Sequence, residues 1–289
     1  MVAREILKQF SIDDVIEIKE IGAGNTSEAM LVMTDAGKYI LRKMRDTSQA
    51  MTEYAISEAL KEYNLSPEIL VSRDNQPYVE HDGGIYNLQV YLEHDKKKQD
   101  IDFEELGRVV GLYHHKTRDL EGIYEQEDRF SLKDMYDQLL ENKSLDSLEQ
   151  KVELIELVEE CLSYKHDNNC YIHGDLGVWN MLFSKEDIYL IDFGEVRRGN
   201  NHFDIAAVLA STIVWNKSGQ EVLNSLNNFR SGYLEYFYEF NIEVLKESLK
   251  LWIVRGILAL LINHGINKRT SDYVHSNIYL IKNFRRIES

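Results

Sequence analysis

Apolar and polar side chains alternate along the first part of the chain, and many of the apolar ones are β-branched. This pattern predicts three strands joined by short turns. They cover residues 15–21, 28–34 and 38–44. Apolar positions at a spacing of three and four then predict a helix over 46–63. Further strands are predicted at 69–71, 77–80 and 85–92.

The second part of the chain has a mainly helical pattern. Helices are predicted over 102–118, over 131–165 as one or two helices, and through 203–265, with two short strands at 181–183 and 188–191. The charged run EHDKKKQD at 93–100 interrupts the apolar pattern. We therefore predict an α+β chain with a small β-rich N-lobe, 1–94, and a larger helical C-lobe, 95–289.

Composition and charge narrow the functional classes. The formal net charge of −16 argues against a nucleic-acid or anionic-membrane surface, both of which need clustered Lys and Arg. The longest apolar run, Leu251–Ile262, contains Arg255 and is too short to span a bilayer, so a buried helix is predicted. The N-terminus lacks the apolar core of a signal peptide. We expect a cytoplasmic protein in which Cys161 and Cys170 are free thiols.

Residues 173–194, HGDLGVWNMLFSKEDIYLIDFG, carry the strongest chemical signal. They follow the kinase template H-R-D-L-x-x-x-N and then D-F-G, with Gly174 in place of the arginine. Each motif alone is short, but the two occur in order around a predicted β-hairpin. That hairpin has the length needed to bring Asn180 and Asp192 together.

Phosphoryl transfer depends on positioning and on neutralising phosphate charge, which explains these residue types. We predict Asp175, Asn180 and Asp192 as the catalytic set. Asp175 would act as the base for a substrate hydroxyl. Asn180 and Asp192 would hold Mg²⁺ through oxygen, with ATP as the phosphate donor.

These motifs resemble those of the aminoglycoside phosphotransferase and choline kinase-like family of small-molecule kinases. The resemblance runs from about residue 15 to 210 and is most specific around HGDLGVWN and IDFG. It implies a bilobal, protein-kinase-like fold and an ATP- and Mg²⁺-dependent kinase that phosphorylates a hydroxyl of a small molecule.

The resemblance also implies a nucleotide-binding set in the N-lobe. The loop GAGNTS would cover phosphate, although Ser27 stands near the place of the third glycine of the usual motif. Arg42 in YILR would be the phosphate-binding cation, with Lys43 as the alternative. Glu53 would pair with that cation, with Glu58 as the alternative. The full predicted set is Gly22, Gly24, Asn25, Thr26, Ser27, Arg42, Glu53, Tyr91 and Glu93.

Several other polar residues are interpreted as structural. The histidines at 114, 115 and 173 are expected to brace the fold rather than react. Asp204, in HFDIA, matches a family aspartate that supports the catalytic loop. Only nine residues separate Gly194 from Asp204, and neither A-P-E nor a phosphorylatable residue follows within 195–210. We therefore expect a diffusible acceptor and not a protein substrate.

The acceptor is the least determined feature. An aminoglycoside-type antibiotic is the leading hypothesis. There are two alternatives. One is a metabolic kinase for choline, homoserine or a sugar, and the other is a catalytically inactive nucleotide-binding scaffold of the same fold. The pocket is predicted within 102–165 and 203–289, where acids would suit a cationic acceptor and aromatics could stack on it. They are Glu125, Glu127, Asp128, Asp134, Asp137 and Glu235, and Trp215, Tyr233, Tyr236, Phe237, Tyr238 and Trp252. Most of these acids are better explained as parts of solvated helix faces, and most of the aromatics as parts of the core. The choice between monomer and dimer stays open.

Overall fold

The β-rich part of the chain is built on one antiparallel sheet. Its strands are β1 (Val15–Glu20), β2 (Ala29–Thr34), β3 (Lys38–Met44), β4 (Ile69–Leu70), β5 (Val79–His81) and β6 (Gly84–Val90). They lie in the order β1-β2-β3-β6-β4, and β5 pairs with β6. The computed structural model describes residues 2–21, 28–95, 100–185, 187–215 and 217–283.

The chain forms two compact units that do not coincide with one cut in the sequence. The first consists of Met1–Asp100, Lys116–Gln126 and Trp179–Arg197. The second consists of Ile101–His115, Glu127–Val178 and Arg198–Ser289.

One face of the sheet buries the core of the first unit. Helix α1 (Val2–Gln9) contributes Ile6 and Leu7 to this core, where they pack with Val32, Leu41 and Leu88 of the sheet. Each of these side chains is at most 1% exposed. Burial of an aliphatic side chain of this size stabilises the fold by about 1.5–3 kcal/mol. The sheet is therefore a rigid platform for its other face.

The other face of the sheet is covered by α2 (Thr47–Leu60). Asp46 caps this helix, because its side chain accepts a hydrogen bond from the Gln49 amide at 2.8 Å. A strand presents successive side chains to opposite faces, so the residue after Leu41 points toward α2. The register Arg42↔Asn87 fixes which polar side chains of β3 and β6 meet there.

A β-hairpin completes the first unit. It pairs β8 (Met181–Phe183) with β9 (Ile188–Leu190), as the sequence predicted. The amide of Leu190 donates to the carbonyl of Leu65 at 2.8 Å, which ties the hairpin to the region after α2. The amide of Asp95 donates to Phe183 at 2.8 Å.

The second unit is helical. Its helices are α3 (Phe103–Thr117), whose last two residues belong to the first unit, α4 (Leu132–Glu141), α5 (Lys151–Ser163), α6 (Asn201–Thr212), α7 (Gly219–Tyr233), α8 (Ile242–His264) and α9 (Lys268–Asn283). Two short strands, β7 (Cys170–Ile172) and β10 (Arg197–Gly199), pair with each other.

Helices α3 and α7 approach each other backbone to backbone. A Cβ on Gly107 would lie 2.0 Å from the Phe229 carbonyl oxygen, and one on Gly232 would lie 1.9 Å from the Glu104 carbonyl oxygen. Glycine is therefore required at both positions. The contact buries Phe229 and Tyr233 completely.

The predicted fold class is confirmed: a bilobal, protein-kinase-like α+β chain with a sheet-containing lobe and a helical lobe. The predicted 131–165 segment is two helices, α4 and α5. The buried helix predicted over Leu251–Ile262 is part of α8. Helices α1 and α9 and strands β7 and β10 were not predicted. Among the described residues, no helix has the length and apolar character to cross a membrane.

Candidate active site

The guanidinium of Arg42 is the polar centre of the first unit. It lies on the α2-facing side of β3 and is only 8% exposed. Its Nη1 donates to Glu53 Oε2 at 3.0 Å, and its Nη2 donates to Asp192 Oδ1 at 2.7 Å. Two carboxylates thus share one buried cation. Burial acts to lower the pKa of Arg42, but the carboxylates of Glu53 and Asp192 together outweigh it and raise the pKa, so the side chain stays charged.

Glu53 occupies the middle of α2 and is almost wholly buried. Besides Arg42, it accepts hydrogen bonds from three side-chain amides, which are those of Gln49 at 3.0 Å, Gln89 at 3.3 Å and Asn87 at 3.5 Å. Burial raises the pKa of Glu53, while Arg42 and the amide donors of Gln49 and Asn87 oppose that rise. Four donors around one carboxylate hold it in a single orientation.

The alternative residues for this ion pair point elsewhere. Lys43 is exposed, and its Nζ lies 3.3 Å from Glu28 on the neighbouring strand edge. Glu58 lies 3.6 Å from Lys61 at the end of α2. The predicted pairing of Arg42 with Glu53 is thus present in the structure. The role of the pair in nucleotide binding stays a prediction.

Asn180 and Asp192 flank the open end of the β8–β9 hairpin. The carbonyl of Asn180 accepts a hydrogen bond from the Ile191 amide at 3.1 Å, directly beside the pair Met181↔Leu190. This places the two predicted metal ligands on adjoining chain segments, as the hairpin length suggested. Asn180 is 8% exposed, whereas the Asp192 side chain is 41% exposed.

The backbone of Asp192 has φ of 65°, in the left-handed region that a residue with a side chain seldom adopts. Asp tolerates this region better than most residues, at a cost of about 1–2 kcal/mol. A strained backbone persists only where the surroundings hold it in place. The ion pair with Arg42 is one such restraint.

The loop that carries Asp175 belongs to the second unit and is organised by Asp204. The buried Asp204 carboxylate accepts the amides of His173 at 2.6 Å and Gly174 at 3.0 Å. His114 Nε2 lies 3.1 Å from the same carboxylate, and His114 Nδ1 lies 2.8 Å from the Tyr233 hydroxyl. Burial raises the pKa of Asp204, but His114 and the His173 amide outweigh it, so the pKa falls below its usual range.

Gly174 explains one departure from the kinase template. Its φ is 80°, so a side chain there would be strained. Glycine is thus required by the loop conformation at the position where the template has arginine. After it, the Gly177 amide donates to the Asp175 carbonyl at 2.8 Å, and the Val178 amide donates to Ser211 Oγ at 3.0 Å. Asp175 itself is half-buried.

The remaining predicted nucleotide-binding residues divide into two groups. The loop residues Gly22, Gly24, Asn25, Thr26 and Ser27 lie outside the described residues. Tyr91 and Glu93 follow β6, where the Tyr91 amide donates to the Lys38 carbonyl at 3.0 Å. Glu93 is largely exposed and accepts from Lys38 Nζ at 2.6 Å. Both residues lie at the Lys38 end of β3, whereas Arg42 is paired with Asn87 further along the ladder.

Sequence reasoning missed the amides around Glu53. Asn87 and Gln89 are polar and lie two residues apart in β6, so their side chains share one face of the strand. Gln49 precedes Glu53 by four residues and therefore lies on the same face of α2. Both spacings are visible in the sequence and would have identified a polar cluster.

Oxygen is the element common to the predicted metal ligands. In the part of the chain that the structure describes, no group of three or more His, Cys, Asp or Glu residues is placed to hold a metal ion. The two predicted ligands, Asn180 and Asp192, supply one amide oxygen and one carboxylate. That donor set fits Mg²⁺, which takes few protein ligands and completes its shell with water and phosphate oxygens.

The fold and these motif residues define a protein-kinase-like phosphotransferase. A family model described as "Phosphotransferase enzyme family" matches residues 17–239, well over half of the chain. The chain belongs to this phosphotransferase enzyme family.

Solved structures with the same fold include three kinases of small molecules. A spectinomycin phosphotransferase in its AMP-bound complex is 13% identical, with a TM-score of 0.72 and 98% of each chain covered. An amicoumacin kinase in complex with AMP-PNP and Ca²⁺ is 14% identical, with a TM-score of 0.70, covering 92% of this chain and 87% of the kinase. A choline kinase from Streptococcus pneumoniae is 16% identical, with a TM-score of 0.62, covering 96% of this chain and 97% of the kinase. No curated protein sequence matches the chain.

Proposed function

We propose that the protein transfers the γ-phosphoryl group of ATP, with Mg²⁺, to a hydroxyl of a small molecule. The observation that carries this proposal is the double ion pair of Arg42 with Glu53 and Asp192. It joins a buried strand cation to the aspartate of the D-F-G motif. Catalysis of phosphoryl transfer needs such fixed charges around the phosphates more than it needs covalent chemistry.

Arg42 is the proposed cation for the α- and β-phosphates. A guanidinium is planar and has five donors, so it can bind a phosphate while keeping Glu53 as a partner. Arg therefore replaces the more usual Lys without loss of charge. The donors around Glu53 support this role, because they fix the glutamate against which the cation is held.

Asn180 and Asp192 are the proposed ligands of Mg²⁺. Bound there, the ion would neutralise developing charge on the phosphates. The half-exposed Asp192 carboxylate is accessible to an ion, and the Arg42 bond occupies Oδ1 in the structure.

Asp175 is the proposed base that accepts or orients the acceptor hydroxyl proton. The Asp204 carboxylate holds the two amides that precede it, so the loop has one conformation before substrate arrives. Such preorganisation is a main source of enzymatic rate enhancement. Asn180, the first of the two proposed metal ligands, follows Asp175 by five residues in the chain.

An aminoglycoside-type acceptor is the leading hypothesis, and the ion pairs of the second unit narrow the residues that would support it. Glu235 is held by Arg108 Nε at 3.0 Å and Asp128 by Arg255 at 3.2 Å, while Asp137 pairs with Lys133. These three carboxylates already form ion pairs with cationic side chains of the protein. Tyr233 and Phe237 are buried in the core, whereas Tyr236 and Tyr238 are exposed.

The similar kinases differ in their acceptors: one is bound to spectinomycin, another to kanamycin, and a third is a choline kinase. Each of these three compounds carries positively charged nitrogen at neutral pH. We therefore place aminoglycosides first and choline, homoserine or a sugar as the alternative.

An ATP-consumption screen across these acceptors tests the proposal. Wild-type protein with Mg²⁺ should consume ATP with one acceptor class, and Asp175→Asn should lower turnover by about a hundredfold or more while binding ATP normally. The Asp→Asn change conserves shape, so the comparison isolates proton transfer. ATP binding without turnover of any acceptor would favour the inactive scaffold. Equal turnover by the variant would remove Asp175 from the mechanism.

A further inference from the structure

Arg45 stands at the corner between β3 and α2, three residues after Arg42. Its amide donates to Gln49 Oε1 at 3.0 Å. Its side chain is a third exposed, and its Nε lies 3.7 Å from Asp46 Oδ2. The Nη2 atom donates to the Gly194 carbonyl at 2.9 Å and to Gln126 Oε1 at 2.6 Å.

The same guanidinium holds the residue after Gly194. Arg45 Nη1 lies 3.7 Å from Glu195 Oε1, and Glu195 is only 8% exposed. Gln126 is itself fixed, because its amide donates to the Val196 carbonyl at 3.0 Å and its Nε2 donates to the Tyr124 carbonyl at 2.8 Å. Arg45 thus connects three separate pieces of the first unit: the β3–α2 corner, the 116–126 segment and residues 194–196.

Gln49 closes the other side of this segment. A Cβ on Gly194 would lie 2.7 Å from Gln49 Nε2, so the glutamine packs directly on the Gly194 backbone. Residues 192–194 are therefore held at three points. Arg42 holds the Asp192 side chain, Gln49 contacts the Gly194 α-carbon, and Arg45 holds the Gly194 carbonyl.

This arrangement matters because Asp192 is in the left-handed region. The Asp192 conformation depends on restraints from both ends of its segment. Arg42 restrains the side chain, but it is also the group proposed to bind the phosphates. The Gly194 carbonyl contact restrains the backbone without involving the nucleotide.

We propose that Arg45 is a positioning residue for Asp192, acting through the Gly194 carbonyl. The inference rests on the proposed function, in which Asp192 is a ligand of Mg²⁺. Residues that orient a metal ligand from behind typically change metal affinity or activity by about 10–100-fold when they are replaced. Arg45 belongs to this kind of residue and does not itself bind the nucleotide.

The test compares Arg45→Gln and Arg45→Lys with the wild type and with Arg73→Gln. Arg73 is an exposed arginine of the same unit, 3.5 Å from Asp13, and controls for the loss of a surface ion pair. Two readouts are measured. One is hydrogen–deuterium exchange of amides 193–197 in the protein without ligand. The other is the Mg²⁺ concentration that gives half-maximal thermal stabilisation by AMP-PNP.

In Arg45→Gln, amides 193–197 should exchange faster while those of β3 and β6 stay as in the wild type. The half-maximal Mg²⁺ concentration should rise by about 10–100-fold. Arg45→Lys can reach the Gly194 carbonyl but not all of the other partners. Its exchange rates and its Mg²⁺ requirement should therefore lie between those of the wild type and those of Arg45→Gln. Arg73→Gln should match the wild type in both readouts.

Wild-type exchange together with a wild-type Mg²⁺ requirement in Arg45→Gln would overturn the inference. If Arg45→Gln does not fold, Arg45→Lys decides: an unchanged Mg²⁺ requirement rejects the inference, and an increase supports it. If the wild type shows no Mg²⁺-dependent stabilisation by AMP-PNP, the proposed function fails, and the inference fails with it. If the wild type binds AMP-PNP with Mg²⁺ and Arg45→Gln matches it in both readouts, the inference is rejected while the proposed function stands.

Discussion

Arg42 and Asp192 are 150 residues apart in sequence, yet Arg42 Nη2 lies 2.7 Å from Asp192 Oδ1. This bond joins the third strand of the sheet to the segment that follows the β8–β9 hairpin. Since Nη1 of the same guanidinium binds Glu53, the cation fixes the positions of two carboxylates. Its replacement should therefore affect both stability and chemistry.

Arg42→Ala should lower kcat strongly or raise the KM for ATP. It should also destabilise the fold by about 3–5 kcal/mol, because Glu53 is left buried without its cation. Arg42→Lys should keep much of the activity, since the charge remains. Steady-state kinetics and urea unfolding measure the two effects. Lys43→Ala is the matched control and should be mild in both; the reverse ranking of Arg42 and Lys43 would show that the strand register is wrong.

Asp192→Ala should abolish Mg²⁺-dependent transfer, because it removes the carboxylate from the proposed metal ligands. Asp192→Asn keeps an oxygen donor but loses the charge, so it should retain weak activity at high Mg²⁺. Activity measured across a Mg²⁺ titration distinguishes the Ala variant from the Asn variant. A structure with Mg²⁺ and AMP-PNP that places the metal away from Asn180 and Asp192 would reject the assignment.

A polycationic acceptor should bind less tightly as salt rises, since exposed charges are screened within about 8 Å at physiological ionic strength. Glu127→Gln and Asp134→Asn should weaken acceptor binding without changing the KM for ATP. Glu235→Gln should have less effect on the acceptor, because that carboxylate already accepts hydrogen bonds from Arg108. The measurement is the acceptor KM at low and high salt. Turnover of neutral sugars but of no cationic compound would exclude the aminoglycoside hypothesis and leave the kinase assignment intact.

His202 gives a pH dependence of stability that can be isolated by mutation. Burial lowers the pKa of His202 to about 4, with smaller contributions from the charges of His114 and His166. The ring is held neutral between Asn200 Oδ1, 2.8 Å from Nδ1, and the Asn241 amide, 2.7 Å from Nε2.

Between pH 6.5 and pH 4 the unfolded chain therefore binds a proton at His202 that the folded chain does not. The free energy of unfolding should fall through that window as the pH is lowered, by at most about 3 kcal/mol from this residue. His202→Gln can still accept from the Asn241 amide but does not titrate. The excess of the wild-type unfolding free energy over that of His202→Gln should become smaller as the pH is lowered from 6.5 to 4. A constant difference would show that His202 is not held neutral.

Local patterns were sufficient to predict most of the fold. Alternation identified β1, β2 and β3 to within one residue, because each strand packs apolar side chains against the core of the first unit. Apolar positions at a spacing of three and four identified α2, and the unbroken apolar run at 251–262 identified part of α8. Helix α1 was not predicted, although its apolar residues Val2, Ala3, Ile6 and Leu7 are spaced as on one face of a helix.

The candidate site was predictable where residue type and spacing carry the chemistry. Asp175, Asn180 and Asp192 followed from two motifs, and Arg42 with Glu53 followed from a family pattern. The restraints on Asp192 were not predictable, because Arg45 and Gln126 are 81 residues apart and no local pattern relates them. Such contacts depend on tertiary packing alone.

The two cysteines have a practical consequence. Thiol reagents attack the thiolate, and burial raises the pKa of Cys161 to about 12. Cys170 is fully buried. Both native thiols should therefore stay unmodified in the folded protein, and a cysteine introduced on the surface, such as Lys19→Cys, would carry a fluorophore without prior removal of the native pair. Nucleotide and acceptor binding can then be followed by the fluorescence of one defined position.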